Sequence, residues 1–222
     1  MVGGQRQGDA ADEAAEREAR RDAELVERLK KGDSRALDEL YRRHREAAYG
    51  IAYRLVGSRE DALEVVQESF IHVMRGMQAF RGQSSFRTWL YRIVTHAALD
   101  YRRWRALRTA ESLDGDTSAE PSIAANERSP QEAAGDRDLG AAIDKALSNI
   151  SEKNRAALVL YAIEGMSYKE VADVLGVSIG TVMSRIFNAR QRLRSCWPRK
   201  SGERWPRATM SGRCSAPTPT RN

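Results

Sequence analysis

The sequence predicts an all-α protein with two small helical domains joined by a flexible linker. Three observations support this fold class: apolar residues recur at helical spacing, no stretch alternates like a strand, and one internal segment lacks large apolar side chains. Capping signals mark several helix starts, and glycines follow the periodic runs. The expected units are a segment at 1–22 that is disordered or a frayed helix, a first domain at 23–105, an acidic linker at 106–138, a second domain at 139–197 and a disordered basic tail at 198–222.

The charge balance favours a polyanionic partner. The 222 residues carry a formal net charge of +6, as expected of a protein that binds nucleic acid. No apolar run has the length of a membrane span and the N-terminus lacks the apolar core of a signal peptide, so we expect a cytoplasmic protein. Cys196 and Cys214 have no metal-ligand spacing with the histidines, so we expect free thiols and no cofactor or metal.

Four helices are predicted in the first domain. A short helix should end at Gly32, a long helix should close at Gly57, and a third should open at the Ser58 cap. Residues 78–83 break the apolar pattern before the fourth helix begins.

The third and fourth helices carry the side chains of interest in this domain. Asp61, Glu64 and Glu68 are predicted to lie along one exposed side, which is more typical of a solvated or partner-facing surface than of a metal site. The fourth helix interleaves aromatic rings such as Trp89 with arginines and ends in a basic cluster. This pattern suits single-stranded nucleic acid, and it equally suits a helix with buried rings and a basic end.

Residues 166–194 predict a helix-turn-helix in the second domain. Ser167 and Glu170 form a capping box, so a helix should begin directly after the serine and end at Gly176 in the left-handed conformation. After a short turn, Ser178 should cap the second helix.

One face of that second helix is apolar and would be buried. The opposite face is predicted to carry small or hydrogen-bonding side chains and no acids or large apolar groups. Such a face suits insertion into a DNA major groove. An ordinary helical hairpin with a solvated polar face shows the same periodicity, but the two capping signals and the tight turn favour DNA binding. The residues expected to face duplex DNA are Ser178, Gly180, Thr181, Ser184, Arg185 and Asn188.

Three motifs resemble those of bacterial sigma-70 factors of the extracytoplasmic-function group, which retains two conserved domains. They read DALEVVQESF at 61–70, FRGQSSFRTWLYRI at 80–93 and GTVMSRI at 180–186. The resemblance covers about 24–105 and 140–196. It implies a non-enzymatic subunit that gives core RNA polymerase its promoter choice, and it implies an anti-sigma factor as a partner.

The resemblance also implies residue roles. In the family, the helix of the first motif docks on the clamp helices of the largest catalytic polymerase subunit. The loop and helix of the second motif hold the non-template strand of the minus-ten element, and the helix-turn-helix binds the minus-thirty-five duplex. The implied core-binding residues are Asp61, Glu64, Gln67, Glu68 and Phe70. The implied minus-ten residues are Phe80, Gly82, Ser84, Ser85, Trp89, Arg92, His96, Arg102 and Arg103.

Two positions depart from the family pattern. His96 stands where many members have Asn, which alters a hydrogen bond to a flipped base, and Leu63 replaces a frequent acid in the docking motif. In the family the linker runs through the RNA exit path, and the acidic excess here fits a mimic of RNA charge. A linker of roughly 33 residues can extend to about 110 Å, but as a free coil it averages only about 30 Å. It can therefore span promoter elements about 58 Å apart only if something holds it extended.

Two other function classes remain open on the residues alone. A transcription activator or repressor would explain the helix-turn-helix but would leave the first domain without a role. A nucleic-acid enzyme would need a phosphate-binding loop, a metal-ligand helix or a nucleophile with a base partner, and the sequence contains none of these motifs.

Overall fold

The computed structural model describes residues 3–111 and 145–196, and within these ranges the regular elements are helices, as the sequence predicts. A 3₁₀ turn follows α3, and a π-helical turn at Val159–Ile163 continues α5. No helix within these ranges has the length and apolar character needed to cross a membrane. The α-helices that lie wholly within these ranges are α1 Gly3–Lys30, α2 Ser34–Val56, α3 Arg59–Gly76, α4 Phe86–Glu111, α5 Glu152–Leu158, α6 Tyr168–Leu175 and α7 Ile179–Cys196. Residues 145–148 are also helical.

The first domain is a bundle in which α2 lies between α1, α3 and α4. Its core is built from fully buried side chains such as Ile51 of α2, Val73 of α3 and Leu90 of α4. Gly57 ends α2 with φ of 82°, and its N–H donates to the carbonyl of Tyr53 over 2.8 Å. The predicted stop is confirmed, because this left-handed position strongly favours glycine.

The segment 1–22 is expected to be disordered or a frayed helix, and the part of it that the structure describes belongs to α1, which begins at Gly3. Alanine, glutamate and arginine dominate the segment, and these residues have high helix propensity. Asp22 anchors the helix on the bundle: its buried carboxylate lies 2.9 Å from Nε of Arg43 and 2.8 Å from Nε2 of His44. This contact couples residues far apart in the chain, so composition alone does not reveal it.

The helix-turn-helix forms where the sequence places it. The Ser167–Glu170 capping box is present in both directions, and α6 begins directly after Ser167. Gly176 ends α6 with φ of 63°. Ser178 then accepts a hydrogen bond from the backbone N–H of Thr181 over 3.2 Å, so its side chain caps the first turn of α7. These start and stop predictions are confirmed.

The second domain packs directly on the first. The π-helical turn and α5 lie against α2, while α6 lies against α4. The helix α4 itself runs to Glu111, beyond the boundary expected at 105. Most of the expected linker and the basic tail at 198–222 lie outside the described residues.

Candidate nucleic-acid and polymerase interfaces

The outward side of α3 combines apolar and acidic side chains. Glu64, Gln67 and Glu68 are exposed, as the resemblance implies for a docking surface. Three apolar residues that the sequence analysis did not select lie among them: Leu63 is 49% exposed, Ile71 45% and Met74 57%. Their spacing of eight and three residues places them on one side of a helix. We call these six residues the α3 face.

Asp61 does not share that face, so the expected exposed row of three acids is wrong at its first position. Its carboxylate accepts a hydrogen bond from Oη of Tyr101 over 2.7 Å and lies 2.6 Å from Nη1 of Arg105. Burial, followed by this hydrogen bond, raises the pKa of Tyr101 to about 12. Asp61 therefore ties α3 to the end of α4.

Phe70 also belongs to the interior of the first domain. It is 7% exposed, and its ring meets that of Tyr41 edge-on at 4.8 Å between centroids. The exposed apolar surface of α3 comes instead from Leu63, Ile71 and Met74.

An open pocket of about 380 Å³ lies at the start of α4. The rings of Phe80 and Trp89 stack there at 4.6 Å between centroids, and Arg92 and Ser84 line the same pocket. Gly82 turns the loop with φ of 68°. We call this the α4 pocket. Aromatic rings beside a guanidinium suit an unpaired base and its phosphate, because bases stack on aromatic rings and arginine neutralises phosphate charge.

Ser85 has a structural task beside the α4 pocket. Its Oγ accepts a hydrogen bond from the backbone N–H of Thr88 over 3.1 Å and lies 2.9 Å from the threonine hydroxyl. Ser85 therefore caps the first turn of α4. Its side chain stabilises the start of the helix that carries the α4 pocket residues.

A row of exposed side chains continues from the α4 pocket along α4. Arg92, His96 and Arg103 are exposed at spacings of four and seven residues, which places them on one side of the helix. Arg102 points elsewhere: it donates to the carbonyl of Leu55 over 2.9 Å and pairs with Glu152 over 2.9 Å. The two adjacent arginines that the resemblance assigned to DNA thus have different surroundings.

Small and polar side chains occupy one outward face of α7. Gly180, Ser184 and Asn188 are exposed, and Thr181 and Arg185 flank them half-buried. The buried side of α7 is Val182, Ile186 and Ala189, as its apolar spacing predicts.

The prediction that large apolar groups are absent from the outward side of α7 is wrong. Ile179, Met183 and Phe187 are 47%, 44% and 60% exposed and form a row beside the polar residues. Their spacing of four residues was visible in the sequence, but it lies next to the buried stripe and resembles an extension of it.

Two family models match this chain, one in each helical domain. The chain matches the sigma-70 region 2 family over residues 40–111 and the sigma-70 region 4 family over residues 140–193. It is 41% identical over 175 residues to the ECF RNA polymerase sigma factor SigE of Mycolicibacterium smegmatis, covering 78% of this chain and 66% of that protein. It is 35% identical over 181 residues to the RNA polymerase sigma-H factor of Pseudomonas aeruginosa, covering 78% of this chain and 91% of that protein.

Solved structures of sigma factors have a similar fold. CnrH in complex with the cytosolic domain of CnrY is 29% identical, with a TM-score of 0.58 over 79% of this chain and 96% of that one. The fold is also that of the sigma factor RpoE bound to the anti-sigma factor NepR from Bartonella quintana, at 24% identity and a TM-score of 0.59 over 72% of this chain and 94% of that one. The two region matches and the identity to curated relatives place this chain in the extracytoplasmic-function group of the sigma-70 family, whose members are non-enzymatic factors of transcription initiation.

Proposed function

We propose that the α3 face docks this sigma factor on core RNA polymerase. Core binding follows from membership of the family, and the α3 face has the composition of a protein interface. Leu63, Ile71 and Met74 supply apolar area, while Glu64 and Glu68 supply charges that steer a basic partner. Asp61 and Phe70 contribute by holding α3 in place.

The α4 pocket is proposed to hold an unpaired base of the minus-ten non-template strand. An extruded base can stack on the Phe80–Trp89 pair, while Arg92 neutralises a neighbouring phosphate. His96 and Arg103 would meet the strand further along α4. Stacking on an aromatic ring does not distinguish one base from another. The base preference would therefore come from hydrogen bonds that the Ser84 hydroxyl and the His96 imidazole make with the base.

The outward face of α7 is proposed to enter the major groove of the minus-thirty-five duplex. Gly180 and Ser184 are small enough to let the helix approach the base edges. Arg185 and Asn188 have the side chains that pair bidentately with guanine and adenine.

An anti-sigma factor is proposed as the partner of the free chain. Two solved structures of similar fold support it, one with the cytosolic domain of CnrY and one with the anti-sigma factor NepR. A pull-down with the product of a neighbouring gene would test this, and failure of that product to inhibit transcription would count against it.

The observation that supports promoter recognition best is the presence in one chain of two different nucleic-acid surfaces. The α4 pocket suits unpaired bases, and the α7 face suits duplex DNA. A fork-junction fragment with both a duplex and a single-stranded part tests the pair. We expect the holoenzyme to bind it, and Trp89→Ala to weaken the contact with the single-stranded part only. Equal weakening on a fully duplex fragment would contradict the assignment of the α4 pocket.

A further inference from the structure

An open polar cleft lies between α5 and α7 in the second domain. Its volume is about 580 Å³. Ser151, directly before α5, and Asn154 line one side, while Asn188, Gln191 and Arg192 line the other from the C-terminal half of α7. We call it the α5–α7 cleft. Apart from Asn188, the proposed function gives these residues no role.

Several side chains in the cleft have hydrogen-bond donors without a protein partner. Within residues 3–111 and 145–196, the side chains of Ser151, Asn154, Gln191 and Arg192 make no hydrogen bond or ion pair. Arg192 and Gln191 are exposed, and Asn154 is half-buried. Serine, asparagine, glutamine and arginine side chains are donors that proteins commonly use for DNA phosphate oxygens. The cleft therefore has the chemistry of a phosphate site.

The charges around the cleft also favour an anion. Among the described residues, no acidic side chain lines it. Glu152 is the acid nearest to it in the sequence, and its carboxylate is directed at the first domain, where it pairs with Arg102 over 2.9 Å. The guanidinium of Arg192 is therefore the only charged group among the described lining residues, and an entering phosphate meets attraction without a competing carboxylate.

The dimensions of a helix and of a major groove place a DNA strand at this cleft. The groove is about 12 Å wide and a helix with its side chains is about 10–12 Å across, so an inserted helix touches both sugar–phosphate strands. Asn188 belongs both to the polar outward face of α7 and to the cleft, so the two surfaces are continuous. Arg192 lies four residues further, about 6 Å along the helix axis. A strand that passes Asn188 therefore reaches Arg192.

The two flanks of α7 differ in chemistry. At about 100° per residue, Met183 and Arg192 lie on opposite sides of Ser184. The flank with Met183 also carries Phe187, and these apolar side chains are 44% and 60% exposed. They offer no hydrogen bond to a phosphate, whereas the flank with Arg192 does. Phosphate binding is therefore expected on the side of the α5–α7 cleft.

We infer that the α5–α7 cleft binds the phosphodiester backbone of the strand that borders the major groove beside α7. Arg192 supplies the positive charge, and Ser151 and Asn154 donate hydrogen bonds from the side of α5, so one strand contacts both elements. The inference rests on the proposed entry of α7 into the minus-thirty-five duplex. A phosphate contact fixes the position of the helix along the duplex but does not read bases, so its contribution is the same on every sequence.

The test replaces single phosphates of the minus-thirty-five duplex by uncharged methylphosphonates. Fluorescence anisotropy gives the Kd of wild-type and Arg192→Ala holoenzyme for each fragment of a promoter mapped by run-off transcription. At a phosphate bound in the cleft, we expect wild type to lose about tenfold in affinity and Arg192→Ala to lose less than about twofold, because the variant has already lost that contact. On unmodified duplex, Arg192→Ala should bind about tenfold more weakly, with a slope of log K against log salt that is smaller by about 0.9.

Two further variants complete the test. Arg194→Ala removes the same charge from an exposed position of α7 that does not line the cleft, so it should keep the wild-type loss at the cleft phosphate. Asn154→Ala removes a donor from α5 and should reduce the response at the same phosphate or at its neighbour. Urea unfolding of Arg192→Ala should match wild type, because the side chain is exposed and has no protein partner among the described residues.

The outcomes separate the inference from the proposed function. If wild type and Arg192→Ala respond alike at every methylphosphonate while binding still depends on the minus-thirty-five sequence, the inference is overturned and the proposed function stands. If wild-type binding depends neither on that sequence nor on any of these phosphates, α7 does not enter the groove, and both are overturned. Weaker binding of Arg192→Ala to core polymerase without DNA would assign the cleft to a protein partner and overturn the inference.

Discussion

Replacing the apolar side chains of the α3 face should weaken core binding by an amount that their exposure sets. Leu63, Ile71 and Met74 are each close to half exposed. Burying a whole side chain of this kind contributes about 1.5–3 kcal/mol, so covering the exposed half of one contributes about 0.8–1.5 kcal/mol. Replacement of all three by serine should weaken binding by about 2–4 kcal/mol, or about 30- to 1000-fold in Kd.

The assay is a titration of labelled sigma factor with core polymerase, followed by anisotropy, with urea unfolding of each variant beside it. Unfolding should shift little, because the replaced areas face solvent in the free chain. Leu107→Ser on α4 is the control, since Leu107 is 66% exposed and lies outside the α3 face. A triple variant that binds core polymerase like wild type would refute the assignment of this face.

Three further predictions concern the other surfaces. Arg185→Ala should cost about 1–3 kcal/mol on the minus-thirty-five duplex if the guanidinium reads a base, whereas a uniform loss on every sequence with a reduced salt slope would identify a phosphate contact. Burial raises the pKa of Glu164, against the opposing effects of Tyr91, Arg54 and Arg87. The chain with its two domains packed together therefore holds this proton more tightly than a chain in which the domains have separated. Its contribution to packing is complete below the ordinary glutamate value of 4.5 and is lost as the pH rises through the raised pKa. Scattering should therefore show a more extended free chain at about pH 8 than at about pH 5, and an unchanged or opposite trend would contradict this. Ser167→Ala should lower the free energy of unfolding by about 0.5–2 kcal/mol through loss of the capping box, and urea unfolding indistinguishable from wild type would contradict that value.

Local signals were sufficient to predict the helix-turn-helix. The Ser167–Glu170 capping box, the glycine at 176 and the Ser178 cap each act over a few residues, so their effect is visible in the sequence. The same reasoning explains why Gly57 was correctly predicted to close α2. Helix existence and helix ends depend mainly on neighbours in the chain.

The orientation of individual side chains depended on contacts between distant residues. Asp61 turns from the exposed side of α3 because Tyr101 and Arg105, some forty residues later, provide hydrogen bonds for it. Phe70 is buried because Tyr41 packs against it. A motif specifies which residue types are present on a helix, but the packing of the whole bundle determines which of them face solvent.

The contact between the two domains could not be predicted from the sequence. Glu164 follows a π-helical turn and reads as an ordinary polar residue before a glycine, and its partners Arg87 and Tyr91 lie more than seventy residues earlier. Neither periodicity nor capping carries information over that separation. Only the three-dimensional arrangement shows that Glu164 and Asp173 meet the helix assigned to the minus-ten strand.

Run-off transcription tests the central claim most directly. Core RNA polymerase with and without this protein is supplied with fragmented genomic template from the organism that encodes it, and the new transcript ends are mapped. We expect discrete starts that depend on the protein and share upstream elements about seventeen base pairs apart, a spacing of about 58 Å along the duplex. Core polymerase that gains no new starts, while the protein alone shifts duplex fragments, would contradict the account and identify a regulator that acts without polymerase.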